Sequence, residues 1–549
     1  MGRTFPTLTA EDAAELIPHG SLVGVGGFTP AGSPKVVPFA LAARARRLHE
    51  EGRPFQIRLL SGASTGPMCD DALAEAEAIS WRAPYMTSAP FRKLTNSGKA
   101  DFIDMHLSHV AQAASSGFLG RMDVAIIEAV EVSPQGRVHL TTGIGNAPTF
   151  LEQADRIIIE RNAYHSPRIS ELADILVLPR PPRRDPIPIH DPLDRIGKRY
   201  ADVDPRKIVG IVASDQPDGG RPFSAVDACS RAIGDHVCRF LLDEMAAGRI
   251  PPGFLPLQSG VGNVANAVMA SFSSNPDFPR FKLYTEVLQD TVIDLIASGS
   301  VLGASTCSLS LSDEKLRFVY DHFDDFADRI VLRPQEISNN PEVSRRLGVV
   351  ATNTAIEVDV YGHVNSSHFF GTQMMNGLGG SGDFERNAYL SIFMCPSFAK
   401  GGRVSTIVPM CTHVDHSEHS VQVVVTEQGL ADLRGLAPTA RARAIIDNCA
   451  HPAYRDYLHH YLESAPMGHL RHDMRRCFEL VNNYLEAGEM LPGLDLRRFE
   501  GWVAWRGGRE MKDQREERVW ADRRSVNRPT SAHRRAARTS SSSCRASSG

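Results

Sequence analysis

The chain has 549 residues, with 60 lysines and arginines against 64 aspartates and glutamates, a formal net charge of -4, and 42% apolar residues. That length exceeds what one hydrophobic core organises, so two domains of α/β size are expected. The near-balanced charge carries no basic stripe and no apolar run reaches bilayer length, which argues against nucleic-acid and membrane partners.

Thr9 precedes Ala13, Leu16 and Ile17 and can cap the first helix. Leu22 to Phe28 reads as a strand running into a Gly26-Gly27 turn. Further strand candidates are 55–60, 124–130, 156–160, 175–178 and 208–212, short apolar runs separated by helix-length or loop-length segments. That rhythm predicts buried, largely parallel strands with helical crossovers, an α/β fold. The proline-dense 180–188 segment reads as an extended surface stretch within the first domain. Asp215 to Pro222, rich in turn residues, is the linker candidate, giving domains at 1–216 and 217–490.

The second series offers strands at 281–285, 347–350, 355–360 and 421–425. Glu286 follows the first of them and precedes a helical run at 292–296, and strand ends that open onto helices present reactive groups to a ligand crevice. Glycine-rich segments lie on both sides in sequence, Ser259 to Asn266 and Asn376 to Phe384, and glycine lets backbone N–H groups approach a substrate closely. A carboxylate between two such loops reads as a nucleophile with an anion-binding frame. On type alone, a glutamate at a strand end would more often be solvated or salt-bridged.

The Gly377-x-Gly379-x-x-Gly382 spacing also fits a dinucleotide fingerprint, but residues 370–376 make a weak strand before it. His413, Asp415, His416, Glu418 and His419 invite a metal reading, against which a polar hydrogen-bonded turn is the default, so no metal site is expected. Nine cysteines (Cys69, Cys229, Cys238, Cys307, Cys395, Cys411, Cys449, Cys477 and Cys544) form no Cys-x-x-Cys pair, as for reduced thiols. Cys307 and Cys395 read as small buried apolar residues. With no secretory-type start and Pro6 in place of a myristoylation Ser/Thr, the expected compartment is the cytoplasm. Residues 491–549 read as an atypical basic, serine-rich tail, mostly disordered; from about Arg506 the composition buries no core, so truncation there should be tolerated, and an unselected extension is the favoured reading over a basic tail that binds an acidic surface.

The run Tyr284 to Asp290, together with Arg333-Pro334-Gln335-Glu336-Ile337-Ser338-Asn339-Asn340-Pro341-Glu342, Gly379 to Phe384, Ser397 to Gly402 and Val425 to Leu436, resembles the acetyl-CoA hydrolase/transferase family. These are class I coenzyme A transferases and include succinyl-CoA:acetate CoA-transferases. The resemblance runs from the first helix to Met490. It implies two similarly folded α/β domains with the active site between them, and exchange of coenzyme A between a short acyl-CoA and a carboxylate, foremost succinyl-CoA and acetate. It implies Glu286 as nucleophile, Gly380 supplying an oxyanion amide, and Asn339 and Glu427 in support. Val261, Gly262, Asn263, Val264, Ala265, Asn376, Gly380 and Lys400 would line the CoA site, with Thr87 and Asn339 at the small carboxylate. It implies no cofactor beyond coenzyme A as substrate, and a homodimer. Hydrolysis of acetyl-CoA by the same glutamate, and a CoA-binding sensor without catalysis, are the rival readings.

Overall fold

The computed structural model describes residues 4–182, 184–220 and 226–493. The basic tail expected after residue 490 lies outside these residues apart from its first three positions.

The first of two large sheets has ten strands. Its main path in space is Thr7–Leu8, Ile208–Ser214, Arg156–Asn162, Val124–Val132, Leu22–Val25, Ile57–Ser61, Ile79–Ala83 and Asp101–Phe102, every adjacent pair parallel. Successive side chains of a strand point to opposite faces. Accordingly Val124, Ile126 and Ile158 pack with Leu41, Ala45 and Leu48 of the helix Val36–Glu50, while Ala125, Ile127, Ile157 and Ile159 pack with Phe150 and Leu151 of Ala147–Gln153. Burial on both faces is why these strands read as unbroken apolar runs.

The second sheet has eight strands, ordered Ile330–Leu332, Val301–Thr306, Phe281–Tyr284, Leu257–Ser259, Val350–Thr354, Leu390–Met394, Val423–Thr426 and Gly429–Asp432. Only its last pair is antiparallel. The cluster that holds Ile157 and Phe150 also holds Leu257, Leu283, Val350 and Ile392, so one apolar core runs through both lobes.

The lobes meet through backbone as well as side chains. Ile144 N–H donates to the Cys307 carbonyl, Leu309 N–H to Thr142, and Gln335 N–H to Gly145, all at 2.9 Å. Beneath this seam the first lobe's loops stack so closely that a Cβ on Gly27 would lie 2.5 Å from the Gly32 carbonyl carbon, and one on Gly32 would lie 2.5 Å from the Gly143 oxygen. The Gly26-Gly27 turn is therefore also a close crossing of chains.

The structure departs from the sequence expectations in several places. Ile175–Leu178 is no strand; Leu176 and Leu178 pack beside Ile187 and Ile189 against Tyr284, Ile337 and Val343. The described residues of the 180–188 stretch are mostly exposed, but Ile187, followed by Ile189, buries its side chain against Tyr284 and Ile337 of the second lobe. The strand expected at 347–350 begins at Val350, since the helix Pro341–Leu347 ends there on Gly348 at φ 68°. Strands Val301–Thr306 and Ile330–Leu332 were not foreseen. In the 215–222 segment Asp218 is buried and bonded back into the first lobe; Arg221 and Pro222 lie outside the described residues.

Candidate active site

Phe281–Tyr284 delivers Thr285 and Glu286 to the carboxyl end of the second sheet, and the helix Asp290–Ser298 begins four residues beyond Glu286. The end of the neighbouring strand Val301–Thr306 grips the backbone there: the Glu286 carbonyl accepts from Thr306 Oγ1 at 2.7 Å, Cys307 N–H at 3.0 Å and Ser308 N–H at 3.2 Å. The carboxylate is thus aimed by a fixed main chain. Its Oε1 accepts from Asn339 Nδ2. Burial pushes the Glu286 carboxyl up to about 8; the Asn339 hydrogen bond opposes that rise and the nearby Asp383 charge adds to it.

Asn339 ends the short helix Gln335–Ser338 and is fully buried. Its Oδ1 accepts from Ser338 Oγ at 2.8 Å, which sets the orientation of the amide, and Nδ2 lies 3.4 Å from Asp383 Oδ2. Gln335 fastens the same turn to the first lobe, donating from Nε2 to the Leu107 carbonyl at 2.9 Å and accepting from Asn146 Nδ2 at 3.2 Å.

Gly380 closes the other side. A Cβ on it would fall at covalent-bond distance from Glu286 Oε1, so only glycine lets this loop reach the carboxylate. The loop leans on the first lobe: Leu378 N–H donates to Asp104 Oδ1 and Oδ2 at 2.8 and 2.9 Å, and a Cβ on Gly377 would lie 3.0 Å from the Tyr85 ring. Asn376 donates to the Gly377 carbonyl at 2.9 Å and to Tyr85 Oη at 3.5 Å.

The loop Val261–Gly262 opens the twelve-residue helix Asn263–Ser274, whose first amides suit an anion. Gln289 ties this loop to the chain after Glu286, donating to the Gly260 carbonyl at 3.3 Å and accepting from Gly262 N–H at 3.4 Å. Val261 is exposed and Gly262, Asn263 and Val264 half-buried, whereas the Ala265 side chain is in the core. Lys400 is exposed, its ammonium 5.5 Å from the centre of the Tyr484 ring. Glu427 is buried and holds the segment leading to Lys400: its Oε2 accepts from Ser397 N–H at 2.7 Å, and Oε1 accepts from Ser397 Oγ and from Gln428 Nε2 at 3.0 Å. Thr87 pairs with Ser64, N–H to Oγ at 2.7 Å and hydroxyl to hydroxyl at 3.0 Å. The fold therefore joins Glu286, Asn339 and Gly380 directly, while the bonds of Glu427 and Thr87 run to other neighbours.

Sequence reasoning missed several groups: Asp383 and Gln289 stand inside the quoted motifs but receive no role from them, and Ser108 and Asp104 of the first lobe carry no signal. The 413–419 segment is a hydrogen-bonded polar turn: His413 Nε2 lies 3.2 Å from Asp415 Oδ1, and His416 Nε2 lies 3.0 Å from Ser381 Oγ. Burial lowers His416 to about 4. Elsewhere Glu128, His165 and Asp218 bring possible ligand atoms within 4.8 Å of one another, but the Lys35 ammonium already bonds Glu128 at 2.6 Å and Asp218 at 3.0 Å. The cysteine thiols Cys307 and Cys395 are buried, which pushes Cys395 up to about 12 and Cys307 well above its ordinary value, so neither is poised as a nucleophile. A cleft of about 440 Å³ lined by Glu418, Arg434, Arg441 and His469 shares no residue with the Glu286 cluster.

In comparison with known proteins, residues 4–213 match the acetyl-CoA hydrolase/transferase N-terminal domain and residues 316–462 its C-terminal domain. The propanoyl-CoA:succinate CoA transferase of Escherichia coli is 58% identical over 491 residues, covering 89% of this chain and all of that one. The succinyl-CoA:acetate CoA-transferase of Clostridium kluyveri is 46% identical over 88% of this chain and 90% of its own. The crystal structure of RipA from Yersinia pestis shares the fold, with a TM-score of 0.63 at 24% identity over 83% of this chain and 96% of that one.

Proposed function

The chain belongs to the acetyl-CoA hydrolase/transferase family, and from that premise we propose that it moves coenzyme A between succinyl-CoA and a small carboxylate such as acetate through a thioester on Glu286. The carrying observation is the contact of three elements at one carboxylate: Glu286 at a strand end, Asn339 donating to it, and Gly380 with no room for a side chain beside it. Both lobes of an α/β fold of the CoA-transferase type supply the surroundings.

Ionised Glu286 attacks the thioester carbonyl, the C–S bond breaks, and a mixed anhydride forms with release of CoA thiolate. The thiolate attacks the glutamyl carbonyl, giving the glutamyl-CoA thioester and freeing the first carboxylate. An incoming carboxylate attacks that thioester and expels the thiolate, which then takes the new acyl group and returns Glu286 as a carboxylate. Each tetrahedral species carries an oxyanion, for which the Gly380 amide and Asn339 Nδ2 are the nearby donors. The Val261–Asn263 helix start and Lys400 would hold CoA, with Val264, Ala265 and Asn376 shaping the groove and Glu427 ordering the Lys400 segment. Thr87 would contact the small carboxylate from the first lobe. The reading invokes no cofactor besides coenzyme A.

We place the domain division at 216–217, supported by the change of sheet between Ser214 and Leu257, with Asp218 just beyond it reaching back to Thr142 and Lys35 of the first lobe. No helix among the described residues is long and apolar enough to cross a membrane; a cytoplasmic homodimer is the matching expectation, checked by fractionation and light scattering. The central test incubates the protein with succinyl-CoA alone and maps the product by peptide mass spectrometry. A CoA adduct on Glu286 that borohydride traps, and that acetate discharges as acetyl-CoA, is expected. An adduct on another residue, or full exchange by Glu286→Ala, would overturn the mechanism. CoA release that needs no acceptor would assign hydrolysis instead.

A further inference from the structure

Asp383 sits one turn inside the segment that begins at Gly380, and its carboxylate is buried at 3% exposure with partners from two lobes. Ser108 of the first lobe donates to it twice, N–H to Oδ2 at 2.9 Å and Oγ to Oδ1 at 2.5 Å. On its other side lies the Asn339 amide. That amide has two hydrogens and no solvent: one meets Glu286 Oε1, and the only acceptor facing the second among the described contacts is Asp383 Oδ2 at 3.4 Å. Ser338 holds the Asn339 oxygen the other way, so the side chain cannot turn over without losing bonds at both ends.

We propose that Asp383, held by Ser108, is a positioning residue for the exchange reaction: it fixes the Asn339 amide so that Nδ2 engages one oxygen of Glu286 and leaves the other to attack. The proposal rests on Glu286 being the nucleophile. The turn Leu107–His109 then carries two fastenings to the nucleophile's neighbourhood, Ser108 to Asp383 and the Leu107 carbonyl to Gln335, on either side of Asn339 in space. Through them the geometry of a second-lobe carboxylate depends on a first-lobe turn. A negative Asp383 also raises the proton affinity of Glu286, which favours the protonated form, so its contribution to the rate is through the geometry of Asn339. The other titratable groups facing this pair are Tyr85 and His106 from the first lobe, the latter 3.8 Å from Asp383 Oδ1, and Cys307 from the second.

A positioning residue should act through Asn339 and a merely structural one should not, so the test is a double-mutant cycle in the full chain. The readout is the single-turnover rate at which succinyl-CoA forms the CoA adduct, with the adduct mapped to its residue. Binding of CoA by calorimetry and thermal unfolding are followed in parallel. Asp383→Asn should slow adduct formation by about 10- to 100-fold while the Kd for CoA changes by less than about twofold, because misplacement of a reacting group is felt in the rate. Placed on an Asn339→Ala background, the same substitution should cost less than about twofold more, the mark of one unit. Ser108→Ala, which removes only the hydroxyl bond, should slow the step by a smaller factor that likewise vanishes with Asn339→Ala, and it decides the matter if Asp383→Asn does not fold. Wild-type rates in both variants, or effects that multiply fully with Asn339→Ala, would overturn the inference while leaving Glu286 as the adduct site. An adduct mapped elsewhere would instead remove the Glu286 reading and this inference with it.

Discussion

Replacing Gly380 by alanine tests the site at its tightest point. Gly380 has φ -93° and ψ -1°, a conformation open to any residue, so alanine brings no backbone strain. The obstacle is space: the new Cβ would fall at covalent-bond distance from Glu286 Oε1 and crowd Asn339 Nδ2. To restore ordinary van der Waals contact the carboxylate or the loop must withdraw by about 2 Å. Misplacing a reacting group by half that distance can cost about 100-fold in rate, so turnover should fall by at least about 100-fold, or ~2.7 kcal/mol in activation free energy. The CoA loop at Val261–Asn263 lies outside that clash, and the Kd for CoA should stay within about threefold, since binding groups and reacting groups are separable contributions. The assay measures kcat and KM with succinyl-CoA and acetate alongside a calorimetric CoA titration. Wild-type turnover would refute the steric argument. Normal turnover at saturating donor with CoA binding lost would place Gly380 in the binding groove.

Reaction requires ionised Glu286, so kcat/KM for acyl-CoA should rise with pH and level off above about 8; a flat profile from pH 6 to 9 would contradict the raised proton affinity of this half-buried carboxyl. The same group sets a stability trend of unusual sign. Its folded value of about 8 stands above the ordinary 4.5, so the folded state holds the proton longer and ionisation costs stability progressively between those values. Glu286→Gln should therefore match the wild-type stability near pH 5 and exceed it at pH 8.5 by on the order of a few kcal/mol, read from thermal unfolding at both pH values. Gln289→Ala should raise KM for acyl-CoA by about 3- to 10-fold with kcat nearly unchanged, from the loss of two hydrogen bonds that hold the Gly260–Gly262 loop; a selective fall in kcat would show the loop serving the chemistry instead. Lys35→Met should lower stability by about 3–5 kcal/mol, seen as a fall in Tm, because Glu128 and Asp218 would share a buried site without their ammonium.

The parallel strands of the first lobe are legible because sheet burial on both faces writes them as apolar runs such as Val124-Ala125-Ile126-Ile127. The same signal misleads at Ile175–Leu178, where an equally apolar run packs as a strap over Tyr284 and Ile337, since burial alone does not distinguish a strand from any other covered chain. Val301–Thr306 escapes for the opposite reason: Gly303, Ser305 and Thr306 dilute its pattern. At the candidate site Glu286, Asn339 and Gly380 each stand in a dense local motif. Asp383 depends on Ser108, 275 positions away, and Asp104 on Leu378, 274 positions away. Pairings at such separation leave no local periodicity to read. Asp218 shows the limit of composition: a segment of turn residues looked like a tether, yet its carboxylate is a buried member of the Lys35 and His165 cluster.

The glycine-lined seam under the active site has an implication for how such a protein can diversify. Where Gly27, Gly32 and Gly143 cross, backbone touches backbone and there is no side chain to exchange for another. Descendants that drift toward longer or more polar acyl groups have almost no freedom in that layer. Their variation would concentrate in the ring just outside it, at Phe28, Ala63, Tyr85 and Leu107, which pack with Val287, next to Glu286, and with Cys307, just past the end of the neighbouring strand. The crossing would persist as an invariant chassis while that small apolar rim records the history of substrates.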